Sequence, residues 1–430
     1  MELEIPDYVI DIQNKLKENN YECYLVGGCV RDAIIGNKIK DYDLNTNCDI
    51  ETIKMLFKDY HIVNNNGEKH DTITLHILGD NVEITSYKHS LDEPNDLVTD
   101  LSHRDITINS LAYDNHVIDF YGGLNDIHNR IIRCTGNPYD RINEDPLRIL
   151  RILRFSSKLG FTIEEETSNA IHKSYHLLKT VSKERIKNEL DGILIGDNLN
   201  YIMSEYTDVI FEIIPELKPT FGFEQHNPYH LNDVYTHIKN VCCNTRQNPI
   251  LRMAALLHDI GKPNSFTIDA NGVGHFYGHP SVSYDIAVEI LKRLKYSNDE
   301  IQKITYLIKY HDSTIQITKK SIRRNFSNTP NQNEDLFMLL VELKNADSLD
   351  HTTNTQIDIT VLRNILNQLK ADNECLKITD LALNGYDMME LGYVGKEIKE
   401  NLNVLLDAVL EDKVENKKEN LINYLKYNSK

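Results

Sequence analysis

"YLVGGCVRDAIIGNKIKDYDLNT", residues 24–46, places two adjacent glycines, an Arg-Asp pair and two aspartates one residue apart in one short span. "CYLV" (23–26) reads as a strand, "CVRDAII" (29–35) as a helix and "DYDL" (41–44) as a second strand. Gly27 and Gly28 fall between the first strand and the helix. Glycine lets the backbone approach a ligand closely, and a helix start offers free N–H groups to an anion. Arg31 adds a bidentate phosphate donor. Residues i and i+2 of a strand face the same side, so Asp41 and Asp43 point together. Their carboxylates repel unless a cation lies between them, and such a hard oxygen pair suits Mg²⁺, which keeps waters and substrate phosphates in its shell. Taken singly, a glycine pair is an ordinary turn and Asp-Tyr-Asp a solvated one. Together within residues 27–43 they point to a site that handles metal and phosphate.

Composition bounds the rest. A chain of 430 residues is long for one core, so two or more domains are expected. With 40% hydrophobic and 26% charged residues it reads as globular. No run of 18 apolar residues occurs, so no membrane-spanning helix is expected. The first 20 residues lack a basic head and an apolar segment, so no secretory leader is expected. Seven cysteines (23, 29, 48, 134, 242, 243, 375) without paired spacing suggest reduced thiols and a cytoplasmic location. The net charge is −18. Nucleic-acid binders usually carry a basic excess, so such a partner would need a local basic patch inside an acidic whole.

Residues 21–121 alternate short apolar runs with turn signals. "DTITLHIL" (71–78) and "VEITSY" (82–87) form a hairpin turning at Gly79-Asp80-Asn81, and "INSLAYD" and "HVIDF" form another at Asp114-Asn115. After about residue 140 helical periods dominate. Seams near 140, 225 and 355 divide the chain into 1–140, 141–225, 226–355 and 356–430.

The segment 24–46 resembles the nucleotidyltransferase signature of the polymerase-β superfamily, in the form carried by bacterial CCA-adding enzymes and poly(A) polymerases. Further motifs follow in the family's order. "HRDITINSLAYD" (103–114) resembles the ribose-contacting motif, which implies that Arg104, Asp105 and Asn109 sense the 2′-hydroxyl. "EDPLRILRILRF" (144–155) resembles the motif that reads the incoming base without a nucleic-acid template, and "ERIKNEL" (184–190) the one that braces it. Asp145 and Arg148, three apart, are expected on one helix face, where a carboxylate beside a guanidinium can hydrogen-bond the Watson–Crick edges of both C and A. Arg148, Arg151 and Arg154 form a stripe on an otherwise apolar helix. Its burial implies anionic partners such as phosphates, with Arg151 positioning phosphate or substrate; the alternative is three snorkelling surface arginines. Superfamily members often place a third carboxylate beside the Asp-x-Asp pair. Glu83 is the candidate, against a solvent-facing strand residue.

The resemblance implies an α+β fold: a polymerase-β-like head with a mixed sheet, an all-α neck, a further helical domain and a helical tail. It implies template-independent addition of CCA, or part of it, to the tRNA 3′ end from CTP and ATP with Mg²⁺. One departure stands out. Relatives carry a flexible loop before the Arg-Asp motif that helps the pocket switch from C to A. Here only "KHSLDEPNDLVTDLSH" (88–103) occupies that place, and His103 replaces a common arginine. A CC-adding enzyme and a poly(A) polymerase are the alternatives.

"LLHDIGK" (256–262) sets His258 and Asp259 side by side near a helix end. With His237 in "DVYTHIKNV" and Asp347 in "LKNADSLDH", the order H…HD…D resembles HD-domain phosphohydrolases. Mixed imidazole and carboxylate ligands suit a transition metal such as Mn²⁺, Ni²⁺ or Co²⁺. His279 and His311 fall where they can ligate a second metal. The resemblance implies a metal-activated water that attacks a phosphate ester in tRNA-end repair; a metal-bound domain that only holds RNA is the bland alternative. An HD hydrolase with an inactive front domain is the remaining enzymatic reading. The tail (356–430) resembles the segment that meets the tRNA elbow. No membrane partner is expected.

Overall fold

Strand and hairpin patterning in the first 120 residues resolves into one mixed sheet in the computed structural model, which describes residues 3–63, 72–88, 92–353 and 355–428. The strands are β1 (Cys23–Val26), β2 (Asp41–Thr46), β3 (Ile62–Val63), β4 (Thr72–Ile77), β5 (Asp80–Ser86), β6 (Leu111–Asp114) and β7 (His116–Asp119). Their spatial order is β3-β4-β5-β2-β1-β6-β7. Only β2 and β5 pair in parallel; the other neighbours are antiparallel. Alternate residues such as Leu25, Leu44, Leu75 and Ile84 point into a core closed by Ile12 and Leu16 of the N-terminal helix and by Phe57. Each fully buried aliphatic side chain contributes roughly 1.5–3 kcal/mol before entropy is counted.

The first hairpin turns one residue earlier than the sequence suggests. Ile77 pairs with Asp80, so the two-residue turn is Leu78-Gly79, both at positive φ (54° and 96°). That pair supplies the tight connection a twisted hairpin requires, although Leu rarely accepts such a φ. Asp71, the first residue of that predicted strand, lies outside the described residues. At the other hairpin Asp114 pairs with His116 and Asn115 takes φ 58°, as expected for an Asn turn. Residues 107–109 form a 3-10 turn rather than the start of a strand.

Two compact units divide at 213/214. In the first, the helix Arg148–Leu159 packs against Lys183–Leu194. Close approach is possible because residue 192 is glycine; a Cβ there would lie 2.4 Å from Arg154 Cδ. In the second, the helices Val234–Asn244, Pro249–Leu257, His279–Arg293, Asn298–Tyr310 and Glu334–Leu349 surround a core that includes Ile238, Leu256, Leu291, Leu307 and Leu340. Farther on, Leu383, Met388, Leu405 and Leu421 build a separate apolar cluster. The protein is therefore α+β in front and helical behind. Among the described residues no helix is long and apolar enough to cross a membrane. All seven cysteines are unpaired.

Candidate functional site

The first unit holds a cleft of about 680 Å³ between the sheet and the helices after residue 138. Its floor is the β2–β5 ladder. The parallel register sets Asp43 directly beside Glu83, so the strand Glu is a third carboxylate on the Asp41/Asp43 face. Desolvation, with Glu83 and Asp41 nearby, pushes Asp43 up to about 6. Desolvation and Asp41 push Glu83 up as well. Carboxylates crowded until they resist ionisation form a hard oxygen set that fits a divalent cation.

Above this floor the loop glycines lie as expected. Gly27, at φ 75°, caps the helix Gly28–Ile35. A Cβ there would stand 2.5 Å from Arg104 Nη1, so glycine is what allows that guanidinium over the loop. Arg31 is buried; it pairs with Asp32 at 2.9 Å and donates to Asn109 Oδ1. Asn109 in turn donates to Asp105 Oδ1 at 3.0 Å. Burial opposes charge on Asp105, but Arg151 at 2.6 Å outweighs it and keeps the carboxyl below its usual range.

Two expectations for the base-reading segment need correction. Asp145 does not share a helix face with Arg148. It adopts an extended backbone (φ −144°, ψ 99°) and the helix begins at Arg148. The cause is Pro146, since a residue before proline is pushed out of the helical region. Both side chains nonetheless line the cleft. The arginine stripe, in turn, finds its anions within the protein. Arg148 meets Glu144 at 2.7 Å, Arg151 meets Asp105, and Arg154 meets Glu189 of the bracing segment at 2.6 Å. Arg185 of the same segment holds Asp145 at 2.8 Å.

Eight cationic side chains line this cleft (Arg31, Lys88, Arg104, Arg148, Arg151, Arg154, Lys158, Arg185) against five carboxylates. A local basic patch thus exists within a chain of net charge −18. The short segment 88–103, apart from 89–91, which lie outside the described residues, contributes a turn and the helix Leu97–Ser102. His103 Nε2 lies 3.0 Å from Glu93, and its carbonyl accepts from Arg148.

The second unit gathers His237, His258, Asp259, Asp347, His279 and His311 around one buried point. Five helices deliver them: His237 and Asp347 from within helices, His279 from a first turn, and His258 and His311 from the caps that end their helices. Asp259 stands at the centre. Its Oδ2 lies 3.3 Å from both His237 and His258 Nε2, while its Oδ1 lies 3.2 Å from His279 Nε2 and 3.5 Å from His311 Nε2. Asp347 Oδ1 completes the first side at 3.0 Å from His237.

The outer nitrogens decide the tautomers. Nδ1 of His258, His279 and His311 faces the carbonyl of Ala255, Phe276 and Ile308 at 2.7, 2.8 and 2.6 Å. A carbonyl can only accept, so each Nδ1 carries a proton and Nε2 is the ring nitrogen turned inward, where a neutral ring would present its lone pair. His237 Nδ1 meets Asp350 at 2.9 Å. Nitrogens then face one another, His237 to His258 at 3.3 Å and His279 to His311 at 3.2 Å. Asp259 Oδ1 is buried without a hydrogen bond. Two sets, His237/His258/Asp347 and His258/Asp259/His311, have ligand atoms within 4.8 Å of one another. Converging lone pairs and an orphaned carboxylate oxygen fit metal ions, with Asp259 placed to serve both sides. Burial opposes charge on His237, yet Asp259, Asp347 and Asp350 push it up to about 10, the field a cation would otherwise neutralise.

Sequence reasoning missed Asp350, Lys262 and His351 and left His230 without a role. Lys262 Nζ lies 2.7 Å from Asp259 Oδ2. His351 stacks on His237 at 5.5 Å, with His230 beside both. Asp350, three residues beyond Asp347, was accessible to a search for partners of the histidine; Lys262 stood in the quoted "HDIGK". Nothing local marked His230 and His351.

Comparison with known families gives three matches. A family described as "Poly A polymerase head domain" matches residues 23–133, one described as "Probable RNA and SrmB- binding site of polymerase A" matches 160–219, and one described as "tRNA nucleotidyltransferase domain 2 putative" matches 281–425. The chain is 37% identical over 220 residues to a CCA-adding enzyme of Ligilactobacillus salivarius, covering 47% of this chain and 54% of that one. It thus spans about half the length of such curated relatives. A CCA-adding enzyme of Bacillus pumilus aligns over 97% of this chain and 96% of its own at 28% identity. In fold it is similar to the Bacillus stearothermophilus CCA-adding enzyme in complex with CTP (TM-score 0.75, 23% identity, 99% and 98% covered). It is also similar to the Thermotoga maritima CCA-adding enzyme complexed with tRNA (TM-score 0.58, 19% identity, 98% and 96% covered).

Proposed function

From the premise that the chain belongs to the CCA-adding enzyme and poly(A) polymerase family, we propose that it adds CCA to the 3′ end of tRNA from CTP and ATP without a nucleic-acid template. The observation that carries this reading is the carboxylate face of β2 and β5 under a cleft lined by eight cations. Asp41 and Asp43, with Glu83 beside them, would hold Mg²⁺, which when bound supplies charge neutralisation for the triphosphate and acidifies the attacking hydroxyl. The chain's own groups do the rest. The helix N-terminus at Gly28 and Arg31 receive phosphate oxygens. Arg104, Asp105 and Asn109 form a linked set for the ribose. Asp145 and Arg148 offer an acceptor and donors to the base edge.

Those last two are already engaged, by Arg185 and Glu144, so a base must compete for or share these contacts. Arg185 thereby braces Asp145, while Glu189 of the same segment holds Arg154 farther along the helix that begins at Arg148. The four-part division into head, neck, metal-binding domain and tail, with tRNA along the neck and tail, belongs to the same proposal, as does work in the cytoplasm.

The decisive experiment offers purified protein a tRNA ending at its discriminator base, with CTP and ATP singly and together, and sequences the ends. CCA ends support the reading. Ends at CC identify the short 88–103 segment as insufficient for the switch to A, and long A tails identify a poly(A) polymerase.

A second reading concerns the histidine–aspartate cluster, supported by its inward Nε2 lone pairs and by the orphaned Asp259 oxygen. It would hold a transition metal, and the bound metal supplies an activated water for phosphate-ester hydrolysis at RNA ends. Lys262 is placed to neutralise a phosphate beside Asp259. Hydrolysis of a 2′,3′-cyclic nucleotide with added Mn²⁺, Ni²⁺ or Co²⁺, abolished by chelation, tests it.

A further inference from the structure

The cleft over the histidine–aspartate cluster measures about 320 Å³, more room than a bare phosphate needs. At its mouth stands Tyr277, 77% exposed although it is a large aromatic. Its ring lies flat against His275, with centroids 5.2 Å apart and planes 11° from parallel. His275 is fixed in turn. Its Nε2 sits 3.1 Å from Asp269, and its backbone pairs with Thr267 in a short antiparallel ladder. Tyr277 is also held from the other direction. The preceding carbonyl, of Phe276, receives His279 Nδ1, and Gly278 at φ 75° turns the chain directly into His279. One face of the Tyr277 ring is therefore backed by a fixed imidazole. Tyr277 stands two residues before His279, so their Cα atoms lie within about 7 Å, and both line the same cleft. An aromatic ring presented to water on a braced support, next to a phosphate-handling pocket, has the form of a stacking platform. Every nucleobase has a π-face that such a ring accepts.

We propose that Tyr277, backed by His275, is the base platform of this cleft, so that its substrates are nucleotides, free or at the end of a single strand, rather than phosphate esters at large. This rests on the hydrolase reading for the reaction, but the platform has its own test. The chain contains no tryptophan. The full-length Tyr277→Trp protein therefore carries one indole, at the proposed platform, and stacking of a base quenches it. Titration in Mg²⁺ with adenosine 2′-monophosphate should quench its emission saturably, while ribose 5-phosphate should not. Unchanged emission with the nucleotide, or equal affinity for the two ligands by competition, overturns the platform.

A kinetic arm uses Tyr277→Ala and Tyr277→Phe. Removing a stacking partner is expected to raise KM for adenosine 2′-monophosphate about tenfold. The kcat should stay near the wild-type value, Tyr277→Phe should retain most affinity, and hydrolysis of glycerol 2-phosphate should not change. Equal losses on both substrates would reduce Tyr277 to a structural residue and overturn the proposal. If the wild-type protein hydrolyses neither substrate while the Tyr277→Trp protein still quenches with the nucleotide, the platform stands and the hydrolase reading is removed.

Discussion

The two clefts handle charge in opposite ways. In the first, nearly every cation already has an anion of the protein: Arg148 with Glu144, Arg151 with Asp105, Arg154 with Glu189, Arg185 with Asp145. Its side chains are pre-positioned but exchangeable, which suits the proposed reading of two different bases. In the second, imidazole lone pairs converge on one carboxylate and Asp259 Oδ1 has no hydrogen-bond partner. Lys262 meets the other oxygen of Asp259, so what is left over is one buried acceptor among inward-turned ring nitrogens. A reading site gains from groups that can trade partners, and a ligand site from groups that cannot.

The largest effect expected on that contrast comes from the carboxylate floor. Asp41→Ala or Asp43→Ala should lower nucleotide addition by about a thousandfold or more while circular dichroism stays native, because a metal ligand is lost rather than packing. Near-normal addition by either variant would mean the floor is misassigned. In the other unit, the double variant His258→Ala/Asp259→Ala should lose bound transition metal and any phosphatase or cyclic phosphodiesterase activity, and still extend tRNA. Loss of both activities together would dissolve the distinction between the clefts.

A smaller change sharpens the metal side. Asp350→Asn leaves every inward nitrogen in place but weakens the orienting bond to His237 Nδ1, so metal affinity should fall about 10–100-fold, measured by competition with a chelator. On the reading side, Arg148→Ala should cost about 1–3 kcal/mol of base discrimination, seen as UTP and GTP misincorporation relative to CTP and ATP. A uniform loss of rate at unchanged selectivity would transfer Arg148 to phosphate binding.

The smallest effect is one of stability. Asp43 has a folded pKa of about 6 against an ordinary value of 3.8. A raised carboxyl pKa favours the fold below the unfolded pKa and is lost as pH rises through the folded one. Metal-free protein should therefore lose stability between about pH 4 and 6. In chelator, Asp43→Asn should stabilise it by about 1–2 kcal/mol above pH 6, allowing for partial exposure, and by nothing below about pH 4. Added Mg²⁺ should erase the difference. A variant no more stable than wild type at pH 8 would show the floor to be unstrained.

Much of this was legible before any coordinates. The Gly-Gly loop, the Asp-Tyr-Asp strand and the His-Asp pair depend on neighbours a few residues away, where strand alternation and helix starts are decided. The errors were local as well. Pro146 bars Asp145 from the helix, an effect that i, i+3 spacing alone does not include. The turn at Leu78-Gly79 was missed because leucine seldom takes positive φ. The partners of the arginine stripe were a different matter. Asp105 lies 46 residues from Arg151 and Glu189 35 from Arg154, beyond any periodicity.

By itself the sequence determined which residues are chemically equipped and which face of its own strand or helix each one takes, because backbone sterics act over a few bonds. Only the tertiary structure decided which of them meet. Glu83 joins Asp43 through the register of a parallel strand pair, and Asp350 reaches His237 across 113 positions. Asp259 becomes the shared carboxylate because five helices pack around one core, and packing depends on complementary surfaces that no local pattern encodes.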